Sequence, residues 1–319
     1  MQAPGIMFIG VDVAKSTLSV CIHSAREHRE LRNDEASIRK WLATLPPQAA
    51  IAVESTGRYH LTLVRMATAA GHRAFVLNAS DVHFYAKALG ARGKTDRTDA
   101  EVIARYLAEH HATLKPWRPG TPAQEQLRAL LRCRAKVTTN RIALRQTLQD
   151  VTGLESAVLG LEREFGAMLA DIDRQVATLV AADPKLSQGC KALRTISGFG
   201  PQGSSLLAAL LARLNFANAD ALVAYTGLDP RPNDSGDKTG KRRISKRGDP
   251  ALRRQLYLAA LSASRSKAFR SLYQSIKAKG FKPTQAHIIL ARKLLRIAWA
   301  VWKTGKPFDP SRHALPAAC

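Results

Sequence analysis

Hydrophobic positions recur at short, strand-like intervals in the first third of the chain and at helical intervals through most of the rest. Residues 6–23, IMFIGVDVAKSTLSVCIH, read as an apolar strand, a turn at Ala14–Ser16 and a second strand in which Leu18, Val20 and Ile22 alternate with other positions. That is a hairpin. The charged stretch REHRELRND offers a third strand, and DEASIRKWLATL places Ile38, Trp41, Leu42 and Leu45 on one helical face behind an Asp34 cap. AAIAVEST is a buried strand ending in Glu54; a helix through Leu61, Leu63 and Val64, then Gly71, the strand RAFVLN and one or two helices follow. A hairpin followed by strands alternating with helices predicts an α/β domain with a mixed sheet covered on both faces.

Beyond residue 121 the period is helical, so the fold class is α/β plus all-α. Leu154, Val158, Leu161, Phe165, Met168, Ile172 and Leu179 follow four-three spacing with only Gln175 interrupting, the mark of a coiled-coil heptad. A looser series, Leu127, Leu130, Val137, Leu144, Leu148 and Val151, is either its partner helix or a dimer arm; an intramolecular hairpin within a monomer is the competing reading. Residues 192–214, ALRTISGFGPQGSSLLAALLARL, have the form of a helix-hairpin-helix, with Gly198 and Gly200 letting backbone amides approach a phosphate at the second helix's start. A glycine-turned core hairpin would look the same. The expected organisation is an α/β domain over 1–115, a coiled-coil region over 116–188 and a helical domain over 189–319.

Charge sharpens this division. The chain has a formal net charge of +24, but residues 1–110 and 111–190 carry only +3 each, whereas residues 191–319 hold 24 Lys and Arg against 6 Asp and Glu, a net of +18. A segment so basic usually neutralises phosphates, which predicts salt-dependent binding to nucleic acid; a solvated cationic face or an anionic membrane partner would also account for the charge. No apolar run approaches the roughly 18 residues of a membrane span, and the N-terminus lacks the pattern of a signal peptide, so a cytoplasmic location is expected. Cys21, Cys133, Cys190 and Cys319 are far apart and form no CxxC, which supports neither a zinc site nor a disulfide framework.

Against this background the acids stand out. Asp12 ends the first strand and Glu54 a later one, while Asp96 and Asp99 open a helix within GARGKTDRTDAEVIARYL. Ligands of open α/β sheets bind outside the carboxyl ends of strands, and two carboxylates at i and i+3 share a helix face. Four acids in this arrangement predict a divalent metal site facing phosphates. The alternative for the helical pair is plain N-terminal capping, with Thr98 and Glu101 at capping-box spacing.

The segment GLDPRPNDSGDKTGKRRISKRGDPALRR, residues 227–254, combines turn formers with a dense basic cluster. Asn233, Asp234, Gly236, Asp237 and Gly240 predict a loop holding Ser235, with Arg231, Lys238, Lys241, Arg242, Arg243, Lys246 and Arg247 nearby. Read alone, the segment is a phosphate-gripping loop. A serine attacking a phosphodiester would also be served by such cations, which stabilise charge building on phosphorus.

Taken together, GVDVAK with Asp12, VESTG with Glu54, KTDRTDA with Asp96 and Asp99, and GLDPRPNDSG through ISKRGDPALRR with Ser235 resemble the DEDD-type transposases of bacterial insertion sequences, the IS-one-ten family. The resemblance covers nearly the whole chain in the family's order: a RuvC-like (ribonuclease H-like) domain, a coiled coil, then a serine-bearing transposase domain. One departure is Asn78-Ala79, where the family usually has Asn-Pro. The resemblance implies that Asp12, Glu54, Asp96 and Asp99 bind magnesium beside donor or target DNA and that Ser235 is the nucleophile of a covalent phosphoserine link. It further implies a dimer or tetramer whose protomers complete each other's sites, guided by a structured RNA from the element's non-coding end. A RuvC-like structure-specific nuclease, which needs no serine, and a non-catalytic nucleic-acid scaffold are the competing functions.

Overall fold

A computed structural model of the protein describes residues 6–55, 57–90, 95–232, 234–235, 238–240 and 242–313. It divides into two compact units, Met1–Pro119 and Gly120–Cys319, each treated by itself below. The long helices after residue 120 belong to the second unit.

The first unit is the expected mixed α/β domain. Strands β1 (Phe8–Val13), β2 (Thr17–Ile22) and β3 (Glu27–Arg32) form an antiparallel meander, followed by α1 (Glu35–Leu42), β4 (Ala50–Glu54), α2 (Leu61–Ala69), β5 (Arg73–Leu77), α3 (Ala79–Ala88) and α4 (Asp96–His110). The sheet order is β3-β2-β1-β4-β5, with β4 parallel to both β1 and β5. Strand alternation splits the core in two. Ile9, Val11, Ile51 and Val53 pack on one face with Ile38 and Trp41 of α1 and Leu63 and Val64 of α2. Ala50, Ala52 and Phe75 pack on the other with Val82 of α3 and Val102, Ile103 and Leu107 of α4. Burial on both faces pins the register, because a one-residue slip would turn every apolar side chain to the wrong side.

Two local features set where α4 lies. A Cβ on Gly10 would meet the Ala100 carbonyl oxygen and the Ala104 nitrogen at 2.2 Å, so only glycine lets the helix backbone press onto β1. At the other end of α4 the His111 ring lies 4.7 Å from Phe8. Since α4 passes His111 over Phe8 and Ala100 over Gly10, it runs antiparallel to β1 and carries its first turn towards the strand's carboxyl end.

The second unit is helical, with α5 (Pro122–Leu148), α6 (Glu155–Ala182), α7 (Pro184–Arg194), α8 (Pro201–Arg213), α9 (Ala219–Thr226), α10 (Pro250–Ala263), α11 (Arg270–Ala278) and α12 (Pro283–Thr304). Between α9 and α10 lie four two-residue strands: β6 (Pro230–Arg231), β7 (Asp234–Ser235), β8 (Lys238–Thr239) and β9 (Arg243–Ile244). Helix α12 is the centre of the core, burying His287, Leu290, Leu294, Leu295 and Ala298 among others. No helix among the described residues is long and apolar enough to cross a membrane.

Helices α5 and α6 pack against each other within the chain as an antiparallel hairpin. Arg134 donates to Asp173 at 2.6 and 3.0 Å, and Arg141 to Glu162 at 2.8 and 2.6 Å, so position advances on one helix as it recedes on the other. Of the predicted heptad, Ile172 is buried and Val158, Phe165 and Leu179 are half-buried. Leu154, Leu161 and Met168 are exposed, while Leu169 and Val176 are buried in their place. The stripe facing the chain's own partner helix is therefore rotated from the predicted one, and three of the seven predicted positions are left on the outside.

Candidate functional site

The parallel pairing of β1 with β4 runs from Phe8 opposite Ala50 to Val11 opposite Val53. One step further the same register sets Asp12 beside Glu54. Their alternation matches Gly10, Ala50 and Ala52, so both half-buried carboxylates belong to the face that α4 covers. Helix α4 brings Asp96, exposed, and Asp99, half-buried, in its first turn at the same end of the sheet. The four acids expected to act together thus share one end of one face.

Their closeness has a limit. Among the described residues no group of three or more His, Cys, Asp and Glu side chains is arranged to hold a metal ion. The donor set is all carboxylate, which suits a hard cation such as magnesium, and the Asp12–Glu54 pair is in place, but convergence of a third acid is not present. The first turn of α4 also has the bland role anticipated for it, with one correction. Its capping box is made by Thr95 and Thr98, not by Thr98 and Glu101: the Thr98 amide donates to Thr95 Oγ1 at 3.2 Å and the Thr95 amide to Thr98 Oγ1 at 3.0 Å. The cap thus begins one turn earlier, leaving both aspartates inside the helix's first turn, where negative charge is favoured by the helix dipole. Arg92, Gly93 and Lys94, the basic approach to this turn, lie outside the described residues.

Ser235 lies in a small ladder rather than in an unstructured loop. β6 pairs with β9, and β7 with β8, setting Ser235 opposite Lys238. Ser235 is exposed. Its neighbour Asp234 accepts from the Arg242 guanidinium at 2.8 Å and from the Gly240 amide at 3.2 Å, tying the two sides of the ladder. Arg231, Arg243, Lys246 and Arg247 are exposed along the same segment. Lys241, Asn233, Gly236, Asp237 and the Lys238 side chain lie outside the described residues.

The base of this ladder is anchored by contacts that the sequence did not flag. Ser245 Oγ donates to Asp229 Oδ1, and the Ser245 amide to the Asp229 carbonyl at 2.9 Å. Gly227, at φ +71°, ends α9; a Cβ there would meet the Arg247 nitrogen at 2.6 Å, and one on Gly248 would meet the Tyr225 carbonyl at 2.2 Å. Arg253 donates to the Gly248 carbonyl and, at 3.4 Å, to that of Thr226. The only legible signal was a glycine after an apolar helix, the usual C-terminal stop; the partners lie too far along the chain to be paired by spacing.

Gly198 and Gly200 differ in what they do. Gly198 has φ +100°, and a Cβ there would meet the Ala259 carbonyl of α10 at 2.2 Å, so its need for glycine has a packing cause. Gly200 is exposed at the N-cap of α8 with open space beside it.

Comparison with known proteins gives two matched segments, the first of which runs past the end of the first unit into α5. Residues 9–152 match a DEDD transposase family model described as Transposase, and residues 190–274 match one described as Transposase IS116/IS110/IS902 family. The pilin gene-inverting protein of Moraxella bovis is 30% identical, with 96% of this chain and 98% of the relative covered; its counterpart in Moraxella lacunata is 29% identical over the same shares. The transposase for insertion sequence element IS1328 of Yersinia enterocolitica is 28% identical, covering 96% of this chain and 99% of its own. A sheet domain with acids at its strand ends, joined to a basic helical unit, is in this protein the framework of a DNA-rearranging enzyme. The chain belongs to the IS110-type family of insertion-sequence transposases.

Proposed function

We propose that the protein cuts and rejoins DNA through a covalent phosphoserine formed by Ser235, assisted by a divalent metal held by Asp12, Glu54, Asp96 and Asp99. The observation that carries this reading is the placement of Ser235. It is exposed on a ladder bordered by Arg231, Arg242 and Arg243, in the segment matched by the second family model. Attack by Ser235 Oγ on a phosphodiester forms a serine–phosphorus ester as one deoxyribose oxygen departs, conserving the phosphodiester's energy for rejoining. The flanking guanidinium groups lower the cost of charge developing on the phosphoryl oxygens. Asp234 is committed to Arg242 and the Gly240 amide, which casts it as the brace of the ladder and assigns the serine's proton to an acceptor beyond it. Magnesium, when bound, would supply Lewis-acid charge to a phosphate oxygen.

The resemblance to the family also supports guidance by an element-encoded RNA. Self-assembly through the α5–α6 hairpin is supported by Leu154, Leu161 and Met168, which lie exposed along α6 at heptad spacing. Phosphate contacts made by the basic C-terminal segment account for nucleic-acid affinity, which should fall steeply with salt.

The test is to incubate the protein with DNA, with and without RNA copied from the element's flanks, and map any protein–DNA adduct. An adduct at Ser235, and loss of both adduct and recombination to background in Ser235→Ala with duplex binding retained, are expected. Unchanged recombination in Ser235→Ala would favour the hydrolytic RuvC-like nuclease, which the strand-end acids alone would also serve.

A further inference from the structure

Helices α5, α7, α8, α9 and α10 enclose a cavity of about 110 Å³ in the second unit, walled by Leu127, Leu131, Leu186, Leu206, Leu210 and Leu252. That is space for several water molecules or for one planar ring. Arg128, Arg132, Arg213 and Tyr225 also line it.

Two of the three guanidinium groups, those of Arg128 and Arg213, are drawn partly out of solvent, while Arg132 stands exposed at the rim. Arg213 Nη1 is sealed from solvent with no hydrogen-bond partner among the described residues. Burial pushes the Arg128 guanidinium below its ordinary range, and the positive charges of Arg213 and Arg132 add to that, outweighing the opposing pull of Tyr225 and Glu125. Two of the three acids that also line the cavity are engaged as helix caps: Asp183 accepts from the Leu186 amide at 3.0 Å and Asp249 from the Ala251 amide at 2.8 Å. A buried donor without an acceptor is costly, and like charges drawn together cost more. An anionic ligand would relieve both.

We infer that this cavity is a nucleotide pocket: the arginines take one phosphate of a nucleic-acid strand, and the leucine-walled space beside Tyr225 takes its everted base. Arginine forks match phosphate geometry, and an unstacked base is commonly received by apolar and aromatic side chains. Tyr225 is 42% exposed and meets Phe216 edge-on at 5.4 Å, which braces its ring at the rim. The pocket also adjoins the base of the serine ladder, because Gly248 lies against the Tyr225 carbonyl and Asp249 lines the cavity. A nucleotide held there would set the strand's position a few residues from the ladder. This inference rests on the reading of the protein as a nucleic-acid enzyme and adds a site to it.

Thermal melting of the full chain with dAMP, inorganic phosphate or octanoate tests it, alongside Arg213→Met and Arg128→Met. dAMP should raise the melting temperature more than phosphate does, and octanoate should not raise it. Arg213→Met should melt higher than the unaltered protein without ligand, having lost an unpartnered buried donor, yet bind dAMP about tenfold more weakly; Arg128→Met should show the same loss of binding. Equal responses to dAMP and phosphate, a larger response to octanoate, no response at all, or an Arg213→Met protein that melts lower and keeps its dAMP response would each overturn the pocket. Duplex binding by the unaltered protein, measured in parallel, separates the two levels: its absence would remove the nucleic-acid reading itself, whereas its presence without a dAMP response removes only the pocket.

Discussion

Asp12 lies one residue before the end of β1 and Glu54 ends β4, in strands whose neighbours are buried on both faces of a sheet, whereas Ser235 lies on a two-residue strand held by polar ties. In the first region position is enforced by packing: Ile9, Val11, Ile51 and Val53 are fully buried, and moving either acid would drag the core with it. In the second the ladder has little core of its own, and its placement depends on Ser245 with Asp229, Asp234 with Arg242, and two glycines that let backbone touch backbone. On the proposed function the contrast has a use: carboxylates sharing an ion would need a rigid frame to offset their repulsion. On the same proposal, a nucleophile meeting a long polymer would be better served by a projecting element on a stable base.

The largest effect should come from Gly10→Val. The added side chain collides with α4 backbone, which cannot rotate away, so a loss of about 3 kcal/mol or more in denaturant unfolding is expected, with separation of Asp96 and Asp99 from Asp12. A cost below about 1 kcal/mol would show that packing does not hold α4 in place, and the contrast between the regions would fail. Next is the anchor of the ladder. Ser245→Ala should cost about 1–2 kcal/mol, since it leaves a half-buried Asp229 oxygen without its donor; Ser245→Ala combined with Asp229→Asn should cost less than the two single changes added together. Simple additivity in that cycle would mean the contact does not brace the ladder. Because no core is disturbed, Ser245→Ala should reduce recombination more than its stability loss alone explains.

The smallest effect concerns pH. His287 on α12 is buried, accepts or donates at 3.3 Å to Ser264 Oγ, stacks on Tyr273 at 4.7 Å and meets Tyr257 edge-on. Burial chiefly lowers its pKa from the ordinary 6.5, and Arg265 and Lys277 add to the shift, against a raising contribution from the Pro283 carbonyl. The unfolded chain then binds this proton more readily than the folded one. Stability from His287 is therefore complete above about pH 6.5 and is lost as pH falls below it, until the folded ring is protonated as well. A melting curve for His287→Phe should be flatter between pH 7 and 5 than that of the unaltered protein; equal slopes would assign the acid sensitivity elsewhere.

Much of this was legible along the chain because its causes are local. Strand alternation and helical period set out β1 to β5 and α1, and Asp34 caps α1 as its spacing predicts; Glu54 ends β4, but Asp12 does not end β1 as expected, because the strand runs on to the buried Val13. Capping was misplaced by one turn because Thr95 and Thr98 are equivalent by residue type, and only the helix's start on the sheet chooses between them.

What the sequence by itself determined is the division into an α/β part and a basic helical part, the kinds of residue available for chemistry, and the family, since these rest on periodicity, charge and short motifs. Tertiary structure alone decided which face each element turns inward. It set α6 with Leu169 and Val176 inward and Leu161 and Met168 outward, because the hairpin's crossing and its two Arg–carboxylate pairs select among stripes of similar hydrophobicity. It made Gly10 and Gly198 seats for helices α4 and α10, and it joined Ser245 to Asp229 across 16 residues. Such contacts depend on approach between segments whose separation no local spacing encodes, and there the backbone's close packing has the deciding role.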